Sequence, residues 1–125
     1  MTRDGILVDT HALLWYLADD DSLSARAREA IESSADVRVS SASIWEIAIK
    51  SRLGKLDAGD DLLERVRDGF EQLDVTAAHA WATRELAPHH QDPFDRLLVA
   101  QSHLEGLPLV SADERLASYG VELIW

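Results

Sequence analysis

The sequence predicts an α/β fold with a mostly parallel central sheet of about five short strands and helices on both faces. Short β-like runs alternate with helical segments along the chain, which is typical of parallel sheets. Two of the runs, Ile6–Val8 and Leu109–Val110, are continuously apolar, as strands buried on both faces are. The chain has 125 residues, 46% of them hydrophobic, so we expect one compact domain over residues 1–125.

Each predicted element follows from a local pattern. The strands are Ile6–Val8, Val37–Ser40, 73–75, Leu109–Val110 and 121–124. Ser24 is a candidate N-cap, Gly54 is a candidate C-terminal glycine, and Asp92 precedes a proline at a first helical position. Seven predicted helices cover about residues 10–18, 24–33, 43–53, part of 60–72, 77–87, 93–106 and 113–118.

The composition narrows the class of protein. Twelve Lys and Arg against 23 Asp and Glu give a net charge of −11, which disfavours a general nucleic-acid binder. The acids therefore form a solvated surface, converge on a divalent-cation site or meet a basic protein partner. The absence of cysteine excludes disulfides and Cys-ligated zinc. The sequence shows neither a signal peptide nor a roughly 20-residue apolar span, so we expect a cytoplasmic protein without a membrane partner.

Four acids stand out by their positions relative to the predicted strands. Asp9 directly follows the first strand, Asp113 follows the fourth, and Glu46 lies in the first turn of the helix after the second. Asp95 lies in the first turn of the sixth helix. Ligands of parallel sheets bind beyond the carboxyl ends of the strands, where Asp9, Glu46 and Asp113 are expected to meet. The sequence leaves the direction of the helix with Asp95 open.

Each of these acids also has a purely structural explanation. Ser43 and Glu46 have the spacing of a capping box, and so do Ser111 and Glu114. Glu46 could also form an ordinary surface ion pair with Lys50, four residues further along the helix. Acids in the first turn of a helix, moreover, suit the helix dipole.

The apolar neighbourhoods favour a metal site instead. Glu46 lies within "SIWEIAIK", Asp95 precedes "RLLVA", and Asp9 separates two apolar runs. Buried carboxylates that lie close together are costly, because each is desolvated and each repels the others. A divalent cation such as Mg²⁺ or Mn²⁺ relieves both costs and prefers oxygen ligands.

At these residues the chain resembles the PIN-domain ribonucleases, in particular the VapC-type toxins of prokaryotic toxin–antitoxin pairs. The similar segments are "LVDTHALLWYL", "VSSASIWEIAIKSRLGKL", "HHQDPFDRLLVAQSHLEGLPLVSADERL" and "YGVELIW", in family order over nearly the whole chain. The resemblance implies a single PIN-like domain. It also implies a catalytic quartet of Asp9, Glu46, Asp95 and Asp113 that holds one or two Mg²⁺ or Mn²⁺ ions.

The implied activity is endoribonucleolytic hydrolysis of RNA phosphodiesters by water that the cations activate. Thr10 and Ser111 lie where the family often has a supporting hydroxyl. Lys50, Arg52 and Arg96 are candidate RNA contacts, and the alternative for them is an unspecialised, solvated helix face. The resemblance further implies a cognate antitoxin that covers the acids. It also implies a homodimer, to which the apolar first helix "HALLWYLA" could contribute.

Two other functions remain open from the residues alone. One is a non-catalytic, acidic α/β binding module, whose carboxylates are caps and surface charges. The other is a metal-dependent phosphatase acting on small phosphoesters. An aspartyl-phosphate phosphatase is disfavoured, because His11 stands where a second aspartate would be needed. The adjacent His89 and His90 match no common zinc-ligand spacing.

Overall fold

The computed structural model describes residues 5–125, which form five strands, six α-helices and two 3₁₀ helices. Residues 1–4, part of the segment considered for a signal peptide, lie outside the described residues. The strands are β1 (Ile6–Val8), β2 (Val37–Ser40), β3 (Glu71–Leu73), β4 (Leu109–Val110) and β5 (Leu123–Ile124). The helices are α1 (Thr10–Leu17), α2 (Ala25–Ser33), α3 (Ser41–Arg52), α4 (Leu62–Gly69), α5 (Ala77–Ala82) and α6 (Pro93–Glu105), with 3₁₀ helices at Thr83–Glu85 and Glu114–Tyr119.

All strands of the sheet are parallel, in the order β3-β2-β1-β4-β5. The chain first fills one side of β1 with β2 and β3, and then crosses to the other side with β4 and β5. This reversal opens a crevice beyond the carboxyl ends of β1 and β4, which is where parallel sheets bind ligands.

The alternation of side chains along β1 divides the core between the two faces of the sheet. Ile6 and Val8 pack in a cluster with apolar side chains of α1, α2, α3 and α4. Leu7 packs on the opposite face with side chains of α6. All three strand residues are fully buried, which explains the continuous apolar run. Helices therefore cover both faces, and the predicted fold class is confirmed.

The direction of α6 was left open by the sequence and is set by a short connection. The helix begins at Pro93 after the N-cap Asp92, as predicted, and Gly106 ends it in a left-handed conformation with φ of 65°. Since β4 begins three residues later and is parallel to β1, α6 runs antiparallel to the strands. Its N-terminus, with Asp95, thus lies at the carboxyl edge of the sheet.

Some predicted boundaries were wrong for local reasons. β3 ends at Leu73 rather than residue 75, because the N–H of Val75 donates to Ser41 Oγ instead of continuing the ladder. β5 is two residues rather than four. The fifth predicted helix changes to 3₁₀ geometry after Ala82, and the seventh is entirely 3₁₀. None of the helices in residues 5–125 has the length and apolar character required to traverse a membrane.

Candidate active site

Four separate elements bring the four predicted acids to the carboxyl edge of the sheet. Asp9 joins β1 to α1, and Glu46 lies on the α3 helix that directly follows β2. Asp95 lies at the start of α6, and Asp113 lies just after β4. The carboxylates influence one another: the charges of Asp9 and Glu46 each help to raise the pKa of Asp95. The structure therefore assembles the cluster that the sequence pattern suggested.

Asp9 is buried, and its carboxylate accepts hydrogen bonds from more than one group. It is the N-cap of α1, where its Oδ1 accepts the N–H of Ala12 at 2.9 Å. The hydroxyl of Ser111 is a second donor to its carboxylate. Burial nevertheless raises the pKa of Asp9, and these hydrogen bonds offset that effect only in part. Ser111 also accepts the N–H of Asp113 at 3.1 Å, so one hydroxyl joins the residues after β1 and β4.

Glu46 is only 3% exposed, so its contact with Lys50 is not an ordinary surface ion pair. Its Oε2 accepts from Lys50 Nζ at 2.7 Å, a contact that raises the pKa of Lys50. Its Oε1 accepts from the Thr10 hydroxyl at 2.7 Å, and that hydroxyl also lies 2.9 Å from Ser43 Oγ. The capping box that was the alternative explanation for Glu46 is not formed, because the N-cap of α3 is Ser40.

Asp95 lies near Asp9 and near the His90–Asp113 pair, and its carboxylate has no ion pair with Lys or Arg within residues 5–125. Burial, followed by the charges of Asp92 and Asp9, raises the pKa of Asp95 to about 6. Its Oδ2 lies 3.2 Å from Nε2 of His90, which lowers that pKa only in part.

Asp113 has the opposite environment. Arg115 donates from Nε to Oδ1 at 3.0 Å and from Nη2 to Oδ2 at 2.9 Å. These bonds, with a further one from His90 Nε2 at 2.8 Å, lower the pKa of Asp113 to about 2. Asp113 also caps the 3₁₀ helix that follows it, so the alternative explanation by a capping box of Ser111 and Glu114 does not apply.

The sequence analysis did not identify Arg115 and His90, whose side chains contact the carboxylate of Asp113. Arg115 is only two residues further along the chain, and that short spacing was an available signal. His90 lies 23 residues away from Asp113, and its spacing resembles no common ligand motif. Its one local signal is its position two residues before the helix cap Asp92, whose N–H donates to His90 Nδ1 at 3.0 Å.

The predicted RNA contacts have three different environments. Lys50 contacts Glu46 and lines a cavity of about 470 Å³ together with Trp15 and Lys55. Arg52 is exposed at the end of α3. Arg96 is engaged within the protein, because its guanidinium donates to Tyr119 Oη and to the carbonyls of Thr83, Leu86, Ala87 and His90.

The charges of the site fit a divalent cation. When all four acids are ionised they carry four negative charges, and within residues 5–125 Lys50 pairs with Glu46 and Arg115 pairs with Asp113. Two negative charges are left uncompensated at a largely buried edge. Carboxylate oxygens are the ligands that Mg²⁺ and Mn²⁺ prefer. A carboxylate oxygen of Asp95 and one of Asp113 lie within 4.8 Å of each other, close enough to share an ion.

Fold and site together define a parallel α/β domain with an acidic edge suited to a divalent cation. The chain belongs to the PIN domain family, whose model matches residues 6–122. This confirms the family resemblance of the motifs.

Individual relatives agree with this assignment. Ribonuclease VapC22 of Mycobacterium tuberculosis is 29% identical over 119 residues, which are 91% of each chain. The structure of VapBC2 from Rickettsia felis, bound to a DNA fragment from their promoter, aligns with a TM-score of 0.71 at 14% identity, covering 95% of this chain and 96% of that one. A toxin–antitoxin complex from Klebsiella pneumoniae aligns with a TM-score of 0.64 at 14% identity over 86% of each chain. At such low identities, the two structural likenesses concern the fold.

Asp95→Asn should stabilise the protein against denaturant at about pH 7.5 in the presence of a chelator. Because the folded-state pKa of Asp95 is about 6, above the ordinary 3.8, its contribution to stability is lost as pH rises through about 6. A neutral amide avoids that loss, so the gain should be on the order of 2 kcal/mol at neutral pH and should vanish below about pH 4. The exposed Asp60→Asn is the matched control, and an unchanged or lower stability of Asp95→Asn at neutral pH contradicts the assignment.

Proposed function

We propose that this protein is a metal-dependent endoribonuclease and the toxin of a toxin–antitoxin pair. In this proposal Asp9, Glu46, Asp95 and Asp113 hold Mg²⁺ or Mn²⁺, and residues 1–125 act as one domain in the cytoplasm. The observation that carries the proposal is the convergence of four carboxylates, with two uncompensated charges, at the crevice of a PIN-family sheet. The curated relative named Ribonuclease VapC22 supports RNA as the substrate.

The side chains around the acids prepare them for this role. A bound divalent cation would supply an activated water and neutralise charge at the scissile phosphate. Thr10 and Ser111 orient Glu46 and Asp9 by donating hydrogen bonds to their carboxylates. Lys50 offsets the charge of Glu46 without occupying the oxygen that Thr10 binds.

Local basic groups offset the overall acidity where RNA would approach. Lys50 connects the acid cluster to the cavity that it lines with Trp15 and Lys55. Arg52 lies exposed on the same helix, two residues further on. We therefore propose Lys50 and Arg52 as RNA contacts. Arg96 contributes indirectly, by holding the loop before α6 through its carbonyls.

Asp9→Asn and Glu46→Gln should each lower the rate of RNA cleavage by about 100-fold or more, because each removes a charged cation ligand. The rate is measured on a labelled, structured RNA with Mg²⁺ or Mn²⁺, and a chelator should abolish wild-type cleavage reversibly. Glu29→Gln, an exposed position on α2, is the matched control and should retain full activity. Full residual activity in both active-site variants would exclude the proposed mechanism.

A cognate antitoxin is the proposed protein partner, since a chain with a charge of −11 suits a basic inhibitor. The toxin–antitoxin complex among the structural neighbours supports this pairing. Co-expression with the product of the adjacent gene should yield a stable complex in which RNA cleavage is suppressed. Recovery of this chain alone, with unchanged activity, argues against the partner.

A homodimer is the proposed oligomeric state. We propose that the dimer interface is formed by α3 rather than by α1. The apolar side chains of α1 are at least half-buried against the core. On α3 and at its C-cap, Trp45, Ile49 and Leu53 follow one another at intervals of four residues and are 62%, 36% and 62% exposed. Such a stripe of large apolar side chains is typical of a protein interface.

Leu53→Asp should convert the dimer into a monomer, because it places a charge in the apolar stripe. The molar mass is measured by light scattering over a range of concentrations. Leu63→Asp, a change at an exposed leucine of α4, is the matched control and should remain dimeric. A wild-type protein that is monomeric at every concentration contradicts this part of the proposal.

A further inference from the structure

His90 is a buried imidazole that lies among the acids and has no role in the proposed function. It is 6% exposed and lies in the loop before α6. Its Nε2 is 2.8 Å from Asp113 Oδ2 and 3.2 Å from Asp95 Oδ2. One ring nitrogen therefore contacts two of the four acids, which come from different elements of the fold.

The hydrogen bond at the other ring nitrogen determines which nitrogen carries the proton. The backbone N–H of Asp92 donates to Nδ1 at 3.0 Å, so Nδ1 must offer a lone pair. A neutral imidazole has one proton, which is then on Nε2. His90 consequently donates from Nε2 to Asp113, and Asp95 Oδ2 lies 3.2 Å from the same nitrogen. If Nε2 bound a cation, the neutral ring would carry its proton on Nδ1 instead. The hydrogen bond from the N–H of Asp92 to Nδ1 would then be lost.

The backbone of His90 is also fixed by hydrogen bonds. Its N–H donates to Tyr119 Oη at 2.9 Å, and its carbonyl accepts from Arg96 Nη1 at 3.3 Å. Arg96 Nη1 also donates to Tyr119 Oη at 3.2 Å, and that hydroxyl donates to the carbonyl of Ala87 at 2.8 Å. These bonds attach the loop to α6 and to the 3₁₀ helix after β4, so the imidazole has a fixed position.

We propose that His90 is a positioning residue whose Nε2–H, hydrogen-bonded to Asp113 with Asp95 at 3.2 Å from the same nitrogen, sets the separation of these two carboxylates for cation binding. This inference rests on the proposed function, because it assigns both acids to the cation. Two carboxylates that approach each other repel, and an N–H group that donates to Asp113 while its nitrogen lies 3.2 Å from Asp95 offsets that repulsion. The hydrogen bond thus preserves the spacing of the acids before a cation arrives.

The tautomer tests the inference directly, and it can be measured without RNA. Nitrogen-15 NMR of the histidine side chains should show His90 protonated at Nε2 and unprotonated at Nδ1 in the presence of a chelator. The same tautomer should persist after addition of Mg²⁺. Pulsed EPR of the Mn²⁺-loaded protein should show no directly bound nitrogen. An Nδ1–H tautomer, or nitrogen coupling to Mn²⁺, would make His90 a ligand and overturn the inference.

Variants of His90 test its effect on the cation. His90→Ala should weaken Mn²⁺ binding about tenfold, as measured by EPR titration. His90→Gln should recover most of that loss, because its amide N–H can replace Nε2–H. The exposed neighbour His89→Ala is the matched control and should bind Mn²⁺ like the wild type.

The results of these measurements distinguish a failure of the positioning role from a failure of the proposed metal site. Unchanged Mn²⁺ affinity in His90→Ala, or no recovery in His90→Gln, overturns the positioning role alone. A wild-type protein that binds no Mn²⁺ overturns the proposed metal site itself. If His90→Ala does not fold, the NMR measurement on the wild type and the affinity of His90→Gln still decide the question.

Discussion

Repulsion between carboxylates at one buried edge is the physical constraint on which the arrangement of this protein depends. The parallel sheet brings Asp9 and Asp113 together because β1 and β4 are neighbours whose carboxyl ends point the same way. The α3 and α6 helices add Glu46 and Asp95 from either side. Each further carboxylate increases both the desolvation cost and the repulsion within the cluster. Hydrogen-bond donors and positive charges close to the carboxylates offset these costs.

The surrounding residues offset the negative charges of the four acids to different extents. Glu46 has a hydroxyl and an ammonium, and Asp113 has a guanidinium and an imidazole. Within residues 5–125 neither Asp9 nor Asp95 forms an ion pair with Lys or Arg, and the pKa of each is raised, that of Asp95 to about 6. The remaining negative charge is therefore on Asp9 and Asp95, which is where a divalent cation would stabilise the site most.

The fold was predictable to the extent that it depends on local patterns. The apolar runs of β1 and β4 and the cap and proline of α6 identified those elements with correct starts. Prediction failed for β3, whose residues 71 and 72 are exposed, because a strand at the edge of a sheet lacks a strong apolar pattern. The 3₁₀ geometry after Ala82 and after Asp113 likewise has no distinct signature in the sequence.

By itself, the sequence determined the fold class, the family motifs and the four acids, since each depends on residues close together in the chain. The tertiary structure was needed to show that α6 points Asp95 at the same edge, that Arg96 holds a loop and that His90 contacts two carboxylates. These features depend on residues that are far apart in the chain. The bond of Thr10 to Glu46 spans 36 residues and that of His90 to Asp113 spans 23, so they exist only once the parallel strands have aligned their ends.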